Sequence, residues 1–426
     1  MPADDPRRLL VDSFHAAVAA ADPLVILPPH LPAPPKGRTL VIGAGKAAAS
    51  MAAAVEAVWP AGAPLEGLVV TRYRHGAATR RIRVVEAGHP VPDEAGQAAA
   101  REILAAVRGL GADDLVLALV SGGGSALLNL PADDVPAEDL KATTRELLKS
   151  GAPIQDMNTV RKHLSAIQGG RLAAASRAPV VALVISDVTG DDPTHIASGP
   201  CAPDPTTYGD ALEVLRRYGV RAPESVRRRL ERGARGEIPE TPKPRDPALA
   251  RVENRVVASA QQSLLAAAEF FRARGCAAAV LGDSVTGEAS EVAKVYGALA
   301  RQVARHGAPF APPVALISGG ECTVTVRGSG RGGRCAEFLL SLAIDLAGLP
   351  RASAIACDTD GIDGSEDNAG AVLLPDSLAR AAALGADAKA LLANNDGYGF
   401  FSALGDLVVT GPTRTNVNDY RAILIA

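Results

Sequence analysis

Lys46 stands in a glycine turn, within LVIGAGKAAAS (residues 40–50), where Val41 and Ile42 end a strand and the alanines open a helix. Gly43, Gly45 and Ala48 satisfy G-x-G-x-x-A, a spacing that lets backbone approach a pyrophosphate at a helix N-terminus. Alone the pattern is weak, and the same glycines could simply pack helix against strand. Lys46 adds a second positive feature at that N-terminus, a conflict that a bound phosphate resolves; its bland reading is a lysine reaching out to solvent. The next strand, GLVVTRYRHG, ends near Arg72 and Arg74 instead of in a ribose-binding acid, so an NADP enzyme stays open.

Six further stretches carry chemistry. VSGGGSALL places Ser121, Gly122, Gly123, Gly124 and Ser125 after an apolar strand, a loop rich in free N–H groups that suits an anion. It lacks the GK[ST] of a Walker A loop. A second serine-glycine turn, Ser318, Gly319 and Gly320, follows another apolar strand in ISGGECTV. GSGRGGRCAEF sets Arg331 and Arg334 among glycines before a helix, guanidinium forks that match phosphate or carboxylate oxygens. The acids of ISDVTGDDP (Asp187, Asp191, Asp192) and of ACDTDGIDGSEDNAG (Asp358, Asp360 and neighbours) suit Mg²⁺ or a hydroxyl proton. The second cluster lacks the order of an EF-hand. Asn158 and His163 share a helix with Arg161 and Lys162; His163 reads as a substrate contact or as a structural histidine.

These residues need a scaffold. At 426 residues two domains are expected, and 47% apolar content supports a large core. Short apolar runs alternate with alanine-rich helical stretches, the mark of a parallel sheet covered on both faces. TPKPRDPALA reads as the interdomain linker, dividing residues 1–245 from 251–426. CTVTVRGSGRGG alternates strictly, which suggests an edge strand and a mixed second sheet. The net charge of −3 with no basic stripe argues against a nucleic-acid partner, no apolar run spans a membrane, and five scattered cysteines fit a reducing cytoplasm.

Taken together, DMNTVRKHLSAIQGGRLA, SDVTGDDPTHIASGP, LISGGECTVTVRGSGRGGR, ACDTDGIDGSEDNAGA and LVVTGPTRTNVND resemble the glycerate 2-kinase family, whose C-terminal part is the MOFRL domain. The likeness runs over nearly the whole chain. It implies a Rossmann-like N-terminal α/β domain with a parallel sheet, a smaller α/β domain with a mixed sheet, and an active site in the cleft between them. It implies phosphorylation of D-glycerate to 2-phosphoglycerate by ATP with Mg²⁺, with small molecules as partners and an assembly of identical copies compatible. Lys46 then matches the essential lysine of a GAGKA turn, and Arg331 or Arg334 a catalytic arginine. The glycine loops would cradle nucleotide phosphates, Asp187, Asp358 and Asp360 would hold metal, and Asp191 would orient or deprotonate the hydroxyl. Cys335 and Ala336 replace the family's usual Asn-Gln, which bears on substrate contacts. The competing readings are an NADP-dependent hydroxypyruvate reductase and a non-catalytic sugar-acid-binding protein.

Overall fold

The computed structural model describes residues 5–426. It divides into two compact units, one spanning Pro23–Val257, the other joining the N-terminal residues through Asp22 to Ala258–Ala426. No helix among the described residues is long and apolar enough to cross a membrane.

The first unit is built on six strands: β1 (Thr39–Ala44), β2 (Leu65–Arg72), β3 (Ile82–Ala87), β4 (Leu115–Val120), β5 (Val180–Ile185) and β6 (Val252–Ala258), in the order β3-β2-β1-β4-β5-β6. Pairings from β3 through β5 are parallel. All six residues of β1, β4 and β5 are buried, as a parallel sheet sandwiched by helices requires. The helix Glu94–Arg108 begins where the Asp93 carboxylate accepts the Gly96 N–H at 3.0 Å. The strand order reverses direction between β1 and β4, the point where open α/β sheets bind ligands beyond the strand C-termini. The expected boundary at 245–251 differs from the observed one. β6 follows the proline-rich stretch and pairs with β5, so that stretch belongs to the first unit.

The second unit holds β7 (Ala277–Gly282), β8 (Val314–Gly320), β9 (Ala352–Asp358), β10 (Gly370–Leu373), β11 (Leu407–Val408) and β12 (Asp419–Ile425), in the order β11-β10-β9-β12-β8-β7. The sheet is mixed: β7 and β8 are parallel, while β12 lies antiparallel between β8 and β9. Side chains of β12 alternate between two cores. Tyr420, Ala422 and Leu424 pack with Leu9, Leu10 and Phe14 of the helix Pro6–Ala19; Ile423 and Ile425 pack with Phe338 and Leu339 of the helix Arg334–Leu346. The edge strand expected at CTVTV does not form. That segment makes one bridge, Thr323 to Glu288, and Thr325 gives its N–H to the Glu288 carboxylate (2.8 Å). The mixed character comes instead from the C-terminal strand β12 and from β10, each antiparallel to its neighbours.

Candidate active site

In the first unit the turn after β1 and the loop after β4 are clamped together. The Lys46 N–H donates to the Gly122 carbonyl (2.8 Å), and the Ala47 N–H to Ser121 Oγ (3.0 Å). Gly45 has φ +139°, and a Cβ there would lie 2.0 Å from Ser121 Oγ. Gly43 sits inside β1, where a Cβ would meet the Leu119 carbonyl at 2.2 Å. Both glycines therefore serve close packing of β1 and its turn against β4.

Beyond this clamp the β4 loop opens as an anion nest. Neither the buried Gly122 N–H nor the Gly123 N–H has an acceptor among the described residues. Gly123 has φ +80°, and a Cβ there would lie 3.0 Å from His89 Nε2 and 3.3 Å from Lys46 Cγ. His89 is driven down to about 3, first by burial and then by Lys46, Arg72, His75 and Arg161. Its Nδ1 is buried without a partner, as is Nε2 of the fully buried His75. Burial, with Arg72 and Lys46, also holds His75 below its ordinary value. Two neutral histidines thus stand beside Lys46 and Arg72, a positive field that suits an anion.

Hydrogen bonds extend this loop outward. Ser125 Oγ pairs with Ser198 Oγ at 2.8 Å, and Ser198 Oγ donates to Asn158 Oδ1 at 3.1 Å. Ala197, Ser198 and Gly199 all have positive φ (52°, 58° and 60°), backbone strain that holds the Ser198 hydroxyl there. Asn158 belongs to the helix Ile154–His163. His163, on the same helix, is buried; its Nδ1 pairs with the Thr159 carbonyl (2.7 Å) and its Nε2 with Glu240 (3.3 Å). With both nitrogens engaged, it is a structural residue in this fold and does not join the nest. Asp187 stands half-buried just past β5. Asp191 occupies a turn at φ +54°, its N–H bonded to the Val188 carbonyl (3.1 Å).

The second unit treats its two loop arginines differently. Arg334 opens the helix Arg334–Leu346 and is surrounded by acids: Nε donates to Asp419 (2.8 Å), Nη2 to Asp358 (2.7 Å), and Nη1 lies 3.3 Å from Glu321. Its side chain is 19% exposed, and Asp419 and Asp358 hold its charge firmly although burial opposes it. Arg331 is 60% exposed, paired with Glu366 and stacked 4.1 Å over the Tyr398 ring. Asp363, buried, accepts the N–H groups of Cys335 (3.0 Å) and Ala336 (2.9 Å) and so caps the Arg334 helix. Burial pushes its carboxyl up to about 7 despite those two bonds. A pocket of about 270 Å³ lies against Arg334, Glu337, Asn395, Gly330, Gly332 and Gly333.

Ser318, Gly319 and Gly320 are the last residues of β8, buried and paired with Arg421, Tyr420 and Asp419 of β12; they form strand and not the open loop expected. Asp358 and Asp360 are buried in the second unit while Asp187 lies in the first. Among the described residues no group of three or more His, Cys, Asp or Glu is placed to hold a metal. Sequence reading passed over His89, Ser198 and the fate of Arg161. Their signal was weak: His89 sits in AGHPVP, which looks like any strand end.

A family model described as a domain of unknown function, DUF4147, matches residues 9–231, and the MOFRL family matches residues 314–419. The chain is 52% identical over 422 residues to a protein of Agrobacterium vitis named putative hydroxypyruvate reductase, covering 98% of this chain and 94% of that one. It is 42% identical over 386 residues to the glycerate 2-kinase of Pyrococcus horikoshii, covering 90% and 86%. The crystal structure of the glycerate kinase (EC 2.7.1.31) of Thermotoga maritima superposes with a TM-score of 0.87 at 38% identity, over 99% of each chain.

Proposed function

The chain belongs to the glycerate 2-kinase family, and on that premise we propose that it transfers the γ-phosphoryl group of ATP to the 2-hydroxyl of D-glycerate. The observation that carries this reading is the pair of open Gly122 and Gly123 amides beside Lys46. Two open amides, Lys46 and two neutral imidazoles suit the oxygens of a phosphoryl group, whose transfer relies on positioning and electrostatic stabilisation. The Gly122–Gly123 amides cradle phosphate oxygens, and Lys46 offsets charge on the group in flight. Asp191 orients the acceptor hydroxyl and takes its proton.

Of the two loop arginines, Arg331 fits the catalytic role better. Releasing it breaks one rim ion pair, to Glu366, and its stack on Tyr398, each worth about 0–1 kcal/mol. Releasing Arg334 would break its buried pair with Asp358 and one of the two arginine pairs of Asp419, which costs about 3–5 kcal/mol. Arg334 therefore clamps β9, β12 and its helix. Kinase Mg²⁺ needs only one or two carboxylates beside substrate phosphates. Asp187, half-buried at the carboxyl end of β5, is a carboxylate that would meet that demand. The ion would supply charge neutralisation at the phosphates. Buried, unpaired cysteines accord with a cytoplasmic enzyme.

The reductase reading fits less well. A dinucleotide fold offers its pyrophosphate the amides that open the helix after β1. Here the Lys46 and Ala47 amides are bonded to the β4 loop. Purified protein given D-glycerate, ATP and Mg²⁺ should release ADP and form 2-phosphoglycerate, told from the 3-isomer by phosphorus NMR. NADPH oxidation with hydroxypyruvate, and no ADP in the first assay, would overturn the proposal.

A further inference from the structure

Three basic residues, Arg161, Lys162 and His163, end the helix Ile154–His163, and the fold uses them unequally. Lys162 is buried with Nζ donating to Thr194 Oγ1 (2.7 Å) and lying 3.4 Å from Asp204; His163 is held by Thr159 and Glu240. The half-buried Arg161 guanidinium makes no hydrogen bond or ion pair among the described residues. One turn earlier, Asn158 is tied through Ser198 to Ser125 at the anion nest, and Arg161 adds to the positive field at His89. A desolvated guanidinium without a counter-charge needs an anion; burial alone draws it down to about 10.

Resting on the kinase reading, we propose that Arg161 binds the carboxylate of the acceptor, so that the site selects a 2-hydroxy acid over a polyol. A planar guanidinium fork matches a planar carboxylate through two parallel hydrogen bonds, whereas Lys46 and the backbone amides suit a tetrahedral phosphoryl group. The anchored Lys162 and His163 hold the helix end, so Arg161 is presented without a partner of its own.

The test is Arg161→Gln beside Arg161→Lys, with D-glycerate and glycerol as acceptors. Arg161→Gln should raise KM for D-glycerate about 10- to 150-fold, the loss of a charge-assisted hydrogen bond. It should leave kcat within a few-fold and KM for ATP unchanged, and collapse the preference for glycerate over glycerol. Arg161→Lys should recover part of the affinity. The ligand-free melting temperature of Arg161→Gln should match or exceed the parent's, because no contact is lost. An unchanged KM for glycerate, a rise in KM for ATP in its place, or a lowered melting temperature overturns the proposal. Calorimetric titration of D-glycerate without nucleotide separates this idea from the kinase reading. Binding by the parent and not by Arg161→Gln upholds the carboxylate site even if no ADP forms; equal binding, or none by either protein, overturns it.

Discussion

Lys46 and His89 face the same glycine, Gly123, and answer to different physical terms. Lys46 is a charge at the helix N-terminus, so it acts on rate: Lys46→Ala should lower kcat by about 10³-fold, read as ADP release at saturating D-glycerate. His89 acts on stability. Its folded value is about 3, far below that of an exposed imidazole near pH 6.5. Between those limits the unfolded chain holds a proton that the folded chain does not. The resulting penalty is absent above pH 6.5 and grows as pH falls toward 3. His89→Gln should therefore flatten the drop in melting temperature between pH 7 and pH 4.5, measured by scanning calorimetry. An unaltered acid slope would remove His89 as its source.

At the scale of elements, the two arginines of GRGGR show what a motif leaves out. They stand three positions apart on one loop, yet Arg334 opens a helix and is gripped by β9 and β12, while Arg331 lies on the rim. Arg331→Ala should leave the melting temperature unchanged and reduce kcat at least tenfold. Arg334→Ala should lose about 3–5 kcal/mol in urea unfolding, and its activity should fall with the folded fraction. If the two variants behave alike, the division of labour is wrong. The serine-glycine turns diverge in the same way. Each follows an apolar strand in the sequence, but only the β4 loop leaves its sheet as an open nest; Ser318, Gly319 and Gly320 stay inside β8 because β12 pairs with them.

Over the whole molecule the chain does not run unit by unit. The helix Pro6–Ala19 packs on the second sheet through Leu9, Leu10, Phe14 and Ala17, with Ser13 bonded to the Tyr420 hydroxyl (2.8 Å) and Arg7 paired with Asp406. Burying each large apolar side chain contributes about 1.5–3 kcal/mol. A chain starting at Pro23 should therefore melt at a markedly lower temperature or aggregate, as size-exclusion chromatography and thermal denaturation would show. A truncated chain that melted like the parent would contradict this packing.

Local patterns determined a good deal. Apolar runs of strand length, alternating with alanine-rich helices, specify an α/β chain with a parallel sheet, because periodicity is a property of neighbours in sequence. Glycines after those runs marked the β1 turn and the β4 nest for the same reason. What only the tertiary structure decided are the pairings across long separations. β12 enters the middle of the second sheet, Asp419 reaches back 85 residues to Arg334, and His89 meets Gly123 and Lys46. Whether an arginine is neutralised, like Arg334, or meets no counter-charge, like the half-buried Arg161, depends on which distant carboxylates the fold brings to it.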